Sequence, residues 1–109
     1  MKPEIMYIAR VGRNGETLWA RVGRVEFSKS GRTLYYAGRE LQGMGQPWYR
    51  DAETGEDFHI QRARKDGLDR NEGRQRGSFP AEIDEEVREE YWAHVRGSPE
   101  RSHERIVRS

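Results

Sequence analysis

Residues 18–41, LWARVGRVEFSKSGRTLYYAGREL, place two alternating apolar–polar segments on either side of Ser28-Lys29-Ser30-Gly31. Alternation with a period of two marks a strand with one buried face, and a cluster of turn formers between two such runs marks a β-hairpin. Leu18, Ala20 and Val22 share one parity, Val25 and Phe27 share the other, and Gly23 stands where the parity changes. A bulge or sharp bend at Gly23 is expected, because it would keep both apolar sets facing inward. Past the turn, Leu34 and Tyr36 face one way and Tyr35 the other, with Arg39 to Gln42 read as a continuation beyond Gly38.

Outward from this hairpin the same grammar repeats. Glu4 to Val11 reads as a strand with apolar residues on both faces, so it is covered twice or lies near a barrel seam. Gly12-Arg13-Asn14-Gly15 is a turn, since Asn-Gly suits consecutive positive φ angles. Trp48 to Ala52 and Asp57 to Gln61 flank the turn Glu53-Thr54-Gly55-Glu56, and Pro80 to Ile83 is a further short extended piece. Strands at this short spacing predict a mainly β fold: a small barrel or strongly bent antiparallel sheet of five or six strands.

One helix completes the prediction. Asp84 is a good N-cap, Glu85 and Glu86 suit the first turn, and Val87, Tyr91, Trp92 and Val95 form one apolar stripe. Arg96 and Gly97 end it. The glycine-rich, charged segment 62–79 reads as a loop with mobile parts. The expected organisation is one β-rich domain over 1–97 and a flexible polar tail over 98–109, where only Ile106-Val107 offers an anchor.

Composition narrows the chemistry. Apolar residues make up 33% and charged residues 36% of 109 positions, so a modest core, rich in its eleven aromatics, lies inside a charged shell. Cysteine is absent, which excludes disulfides, thiolate metal sites and cysteine nucleophiles. No stretch is apolar enough for a signal peptide or a bilayer span, so a cytoplasmic protein is expected. The net charge of +1 conceals an asymmetry. Residues 1–50 carry nine Lys/Arg against four Asp/Glu, whereas residues 79–109 carry five against eight. A basic front and an acidic back attract a polyanion or pair with each other.

Gly23-Arg24-Val25-Glu26-Phe27-Ser28-Lys29-Ser30-Gly31-Arg32-Thr33-Leu34-Tyr35-Tyr36, followed later by Ile83-Asp84-Glu85-Glu86-Val87-Arg88-Glu89-Glu90-Tyr91-Trp92, resembles a group of small bacterial proteins. The resemblance spans roughly Tyr7 to Arg96, with a glycine-containing turn like Asp51 to Glu56 between the two motifs. It implies a compact one-domain fold. No activity is established for that group, so the resemblance transfers no catalytic residues.

No catalytic constellation, metal set or cofactor motif is recognisable in the chain. Asp57 and His59 share a strand face, but His94 and His103 have no fixed relation to them. The carboxylates of Asp84 to Glu90 fit a capped, solvated helix as well as acid–base work. The richer signal is basic and aromatic: Trp19, Arg21, Arg24, Lys29, Arg32, Tyr35 and Arg39 surround one strand pair. Small barrels bind single strands by stacking bases on aromatics while cations track phosphates. The competing reading packs these aromatics beneath the helix. The expected function is a non-enzymatic binding or accessory module for another macromolecule, first a protein. RNA or single-stranded DNA is the alternative, and oligomeric state is left open.

Overall fold

The computed structural model describes residues 3–45, 47–63 and 80–107, and the expected loop at 62–79 falls largely outside them. Six strands, β1 (Glu4–Val11), β2 (Thr17–Phe27), β3 (Thr33–Tyr36), β4 (Arg39–Gly43), β5 (Trp48–Asp51) and β6 (Asp57–Arg62), pair antiparallel in chain order. β6 returns to β1 and closes the barrel. A seventh strand, β7 (Ala81–Ile83), runs parallel to β2, and β8 (Ile106–Val107) pairs antiparallel with β7. The expected β fold with one C-terminal helix is thus a closed barrel.

β1 and β2 are covered on both faces. Met6, Ile8 and Val25 join Leu34, Tyr36, Leu41, Tyr49, Phe58 and Ile60 inside the barrel. On the outer face Tyr7, Ala9, Ala20 and Val22 meet Val87, Tyr91 and Trp92 of the helical segment. This two-sided burial corrects the reading of Gly23. The β1–β2 register runs without interruption past Met6↔Gly23, so no bulge is needed for Val22 and Val25 both to be buried. The glycine serves proximity instead: a Cβ there would lie 2.6 Å from the Tyr36 ring and closer still to the Asp84 carboxylate. The irregularity lies elsewhere, where Arg10 pairs with Trp19 but Val11 pairs with Thr17. Leu18 is the extra residue of this bulge and is 46% exposed, not inward-facing.

Arg39 to Gly43 is likewise not an extension of β3. Ala37 and Gly38 both take positive φ, 50° and 78°, and reverse the chain so that Tyr36 pairs with Arg39. Such a two-residue turn matches the twist of the flanking strands. Alanine is seldom found there, since its Cβ crowds the carbonyl in the left-handed region. The turn therefore gave little sign in the sequence.

The helical segment is a composite: a 3-10 turn at Glu85–Val87, an α turn at Arg88–Glu90 and a π turn at Tyr91–Val95. Its stripe docks against the barrel, with Val87, Tyr91 and Trp92 fully buried and Val95, expected buried, only partly so. Gly97 at φ 67° ends it, and the Ser98 N–H donates to the Trp92 carbonyl at 2.7 Å. The segment expected as a tail folds back over 98–107. Trp92 Nε1 donates to the Glu104 carbonyl at 2.8 Å, Arg101 stacks 4.3 Å above the Trp92 ring, and Val107 is buried beside β7. Among the described residues no helix is long and apolar enough to cross a membrane.

Trp92 thus ties the helix to the chain's last turn as well as to the barrel. Trp92→Ala should lower the unfolding free energy by about 3–5 kcal/mol in denaturant titrations. Leu18→Ala, on the bulge, should stay within about 0.5 kcal/mol of the parent. A large Leu18 effect would mean that the side chain is packed and the bulge misplaced.

Candidate functional site: a mixed-charge groove beside the hairpin turn

The seven residues singled out by charge and aromaticity do not form one surface. Trp19 is half-buried, edge-on to Phe58 at 5.8 Å, and packs with the barrel interior. Arg39 lies 5.6 Å over the same Phe58 ring, 2.6 Å from Glu56 and 3.2 Å from Asp51. Arg21 lies 5.7 Å from the Trp19 ring and 3.5 Å from Asp84, while Arg24 is 2.8 Å from Glu90. Lys29 and Arg32 are exposed at the β2–β3 turn. Tyr35 is exposed because its neighbours Leu34 and Tyr36 point inward.

Arg21 and Arg24 border a groove of about 440 Å³ between the β3–β4 turn, β7 and the start of the helix. Strand pairing explains the opening. β7 pairs with Arg21 and Val22, and β3 pairs with Glu26 and Phe27, so Gly23, Arg24 and Val25 lie between the two partners. At the groove floor the Tyr36 hydroxyl donates to Asp84 Oδ2 at 2.6 Å. Gly23 leaves room for that bond. Asp84 therefore precedes the helix but makes no side-chain cap; its carboxylate is committed to Tyr36 and Arg21. A second hollow of about 360 Å³ adjoins the first and is lined by Arg24, Glu26, Tyr35, Ala37 and Glu86.

The electrostatics follow from these pairings. Burial first, then the hydrogen bond to Asp84, pushes the Tyr36 hydroxyl pKa well above its ordinary value. The Arg24 hydrogen bond holds the Glu90 carboxyl below the usual carboxylate range, and Arg39 followed by the Thr54 hydroxyl does the same for Glu56. Among the described residues no group of three or more His, Asp or Glu is placed to hold a metal ion. His59 is buried edge-on to Trp48 at 5.1 Å, and Asp57 pairs with Arg50 at 2.8 Å instead. Arg88 holds Glu85 at 2.9 Å, which with Arg24–Glu90 engages two of the acids at the start of the helix.

Sequence reading missed Tyr36 and Asp84 as a pair because 48 positions separate them. It also missed Glu26 and Glu40, although alternation alone puts both on the face of Tyr35. That signal was present in the strand parity.

The Tyr36–Asp84 bond carries a pH signature. A folded tyrosine with a raised pKa contributes stability that is whole below the unfolded value, about pH 10, and is lost as pH climbs toward the folded value. The unfolding free energy should therefore fall above about pH 10, and Tyr36→Phe should flatten that fall. At neutral pH the variant should be less stable by about 1.5–3 kcal/mol, the range for a hydrogen bond to a charged acceptor. Parallel pH profiles for parent and variant would show that the bond does not form. Comparison with family models, curated proteins and solved structures yields no match to this chain.

Proposed function

We propose that this chain is a non-enzymatic binding module whose partner is another protein, engaged at the groove beside the β3–β4 turn. The observation that supports a protein over a polyanion is the pairing of the arginines. Arg21, Arg24 and Arg39 each face a carboxylate, at 3.5 Å from Asp84, 2.8 Å from Glu90 and 2.6 Å from Glu56. A phosphate entering there would have to displace a charge already in place. A track of cations is what gives nucleic-acid binding its affinity, and of the seven residues only Lys29 and Arg32 remain as cations outside such pairs among the described residues. The groove instead offers cations, carboxylates and a ring within one hollow, a mixed lining suited to a polypeptide surface.

The nucleic-acid alternative has a direct test. Titration with a single-stranded oligouridylate at low ionic strength should show no saturable binding. Binding whose log–log salt slope is about −0.7 per neutralised phosphate, flattened by joint replacement of Arg24 and Arg32, would overturn the protein reading. A photo-reactive side chain in place of Glu86 should crosslink to a protein and not to RNA.

A further inference from the structure

The row Glu26–Tyr35–Glu40 crosses three neighbouring strands on the outer face of the barrel. Glu26 pairs with Tyr35 across β2 and β3, and Tyr35 pairs with Glu40 across β3 and β4. Directly opposed residues on one face have their β-carbons about 5 Å apart, so a glutamate stands beside Tyr35 on each neighbouring strand. All three side chains are exposed. Glu86, at the start of the helix, lines the hollow that Tyr35 and Glu26 share. Among the described residues no ion pair engages Glu26 or Glu40, and Glu86 acts on Arg24 only at longer range. Arg24 also lines the hollow, but it is bound to Glu90 at 2.8 Å.

The rest of the molecule shows what such a ring accepts. Trp19 carries Arg21, Phe58 carries Arg39, Tyr91 carries Arg96, and Trp92 carries both Arg96 and Arg101. Tyr35 is 39% exposed and, among the described residues, has no cation over it. A cation over an aromatic face is attracted by the ring quadrupole, and flanking carboxylates strengthen that attraction. The same carboxylates repel a phosphate, so the row is opposite in sign to a base-stacking platform.

We propose that Glu26, Tyr35 and Glu40, with Glu86 at the rim, form a cradle for a cationic side chain, arginine or lysine, presented by a partner protein. The proposal rests on the protein-binding reading above and specifies the partner's chemistry. The guanidinium or ammonium lies over the Tyr35 ring, and the two strand carboxylates take its hydrogen bonds from either side. The tyrosine hydroxyl has no part in this.

The test is an amide chemical-shift titration of the full chain with acetyl-(Gly-Arg)₃-amide, with acetyl-(Gly-Glu)₃-amide and an oligouridylate as comparison ligands. The cationic peptide should move the signals of Glu26, Tyr35 and Glu40 saturably and less strongly at high salt, and neither comparison ligand should move them. Because these side chains are exposed, the variants should melt with the parent. The pair Glu26→Gln and Glu40→Gln should weaken peptide binding about tenfold or more. Tyr35→Ala should weaken it about two- to fivefold, and Tyr35→Phe should retain it.

Unmoved signals, shifts confined to another face, or unchanged binding by the charge-neutral pair would overturn the cradle. So would shifts caused by the oligouridylate, or concentration-dependent broadening of the same signals without peptide, which would make a second copy the occupant. If position 86 still crosslinks a protein while the peptide leaves this row unmoved, the cradle fails and the protein-binding reading stands. If only the oligouridylate binds, both fail.

Discussion

The β1–β2 ribbon must be buried on both faces, and the remainder of the architecture depends on that requirement. Six strands closing on themselves bury the inner face, with Met6, Ile8 and Val25 pointing into the barrel. The outer face bears Tyr7, Ala9, Ala20 and Val22, a patch that water would otherwise cover. Burying a Val-sized side chain is worth roughly 1.5–3 kcal/mol, so the helix is held by its fit to this patch and not by intrinsic helicity. Its mixture of 3-10, α and π turns is consistent with that. The backbone adjusts turn by turn to seat Val87, Tyr91 and Trp92, where a regular α-helix would impose its own spacing.

Charge is arranged differently from apolar surface. The exposed ion pairs contribute little to stability individually, about 0.2–1 kcal/mol each. Their larger effect is on the sign of the local potential. Pairing Arg24 with Glu90 and Arg39 with Glu56 offsets part of the positive charge that a count over the front half suggests. What remains is a surface that alternates in sign over short distances, with basic character at the β2–β3 turn and acidic character around Tyr35.

The β1–β2, β2–β3 and β5–β6 hairpins, the mainly β class and the docked helix were legible in the sequence because each rests on local periodicity, whereas closure was one of two readings and rests on the pairing of β6 with β1 across the chain. Leu34 and Tyr36 inward and Tyr35 outward follow from alternation alone. Gly23 was misread for a definable reason. A strand covered on both faces shows apolar residues at both parities, which imitates a parity change and suggests a bulge that is not there. The Ala37-Gly38 turn was hidden because alanine rarely takes positive φ, and Asp84 because a capping aspartate and one reserved for a distant tyrosine look identical along the chain. The segment 98–107 read as a tail by its polarity, whereas its anchoring comes from Trp92, Arg101 and Glu104 acting together. For the same reason the candidate site was only half visible. Of the residues that line it only Arg21, Arg24 and Tyr35 were named, and the carboxylates that pair with the two arginines, Asp84 and Glu90, lie far away in sequence.

The order in which this fold assembles has a consequence for the nascent chain. Each barrel strand except the closing pair meets its sequence neighbour, so the barrel requires only the first 62 residues or so to have been made. The covering layer comes from residues 81–107. During synthesis a formed or half-formed barrel therefore presents Tyr7, Ala9, Ala20 and Val22 to the crowded surroundings of the ribosome until residues 81–107 have emerged. For that interval the exposed ribbon is a surface that chaperones would recognise and that promotes clumping between neighbouring nascent chains.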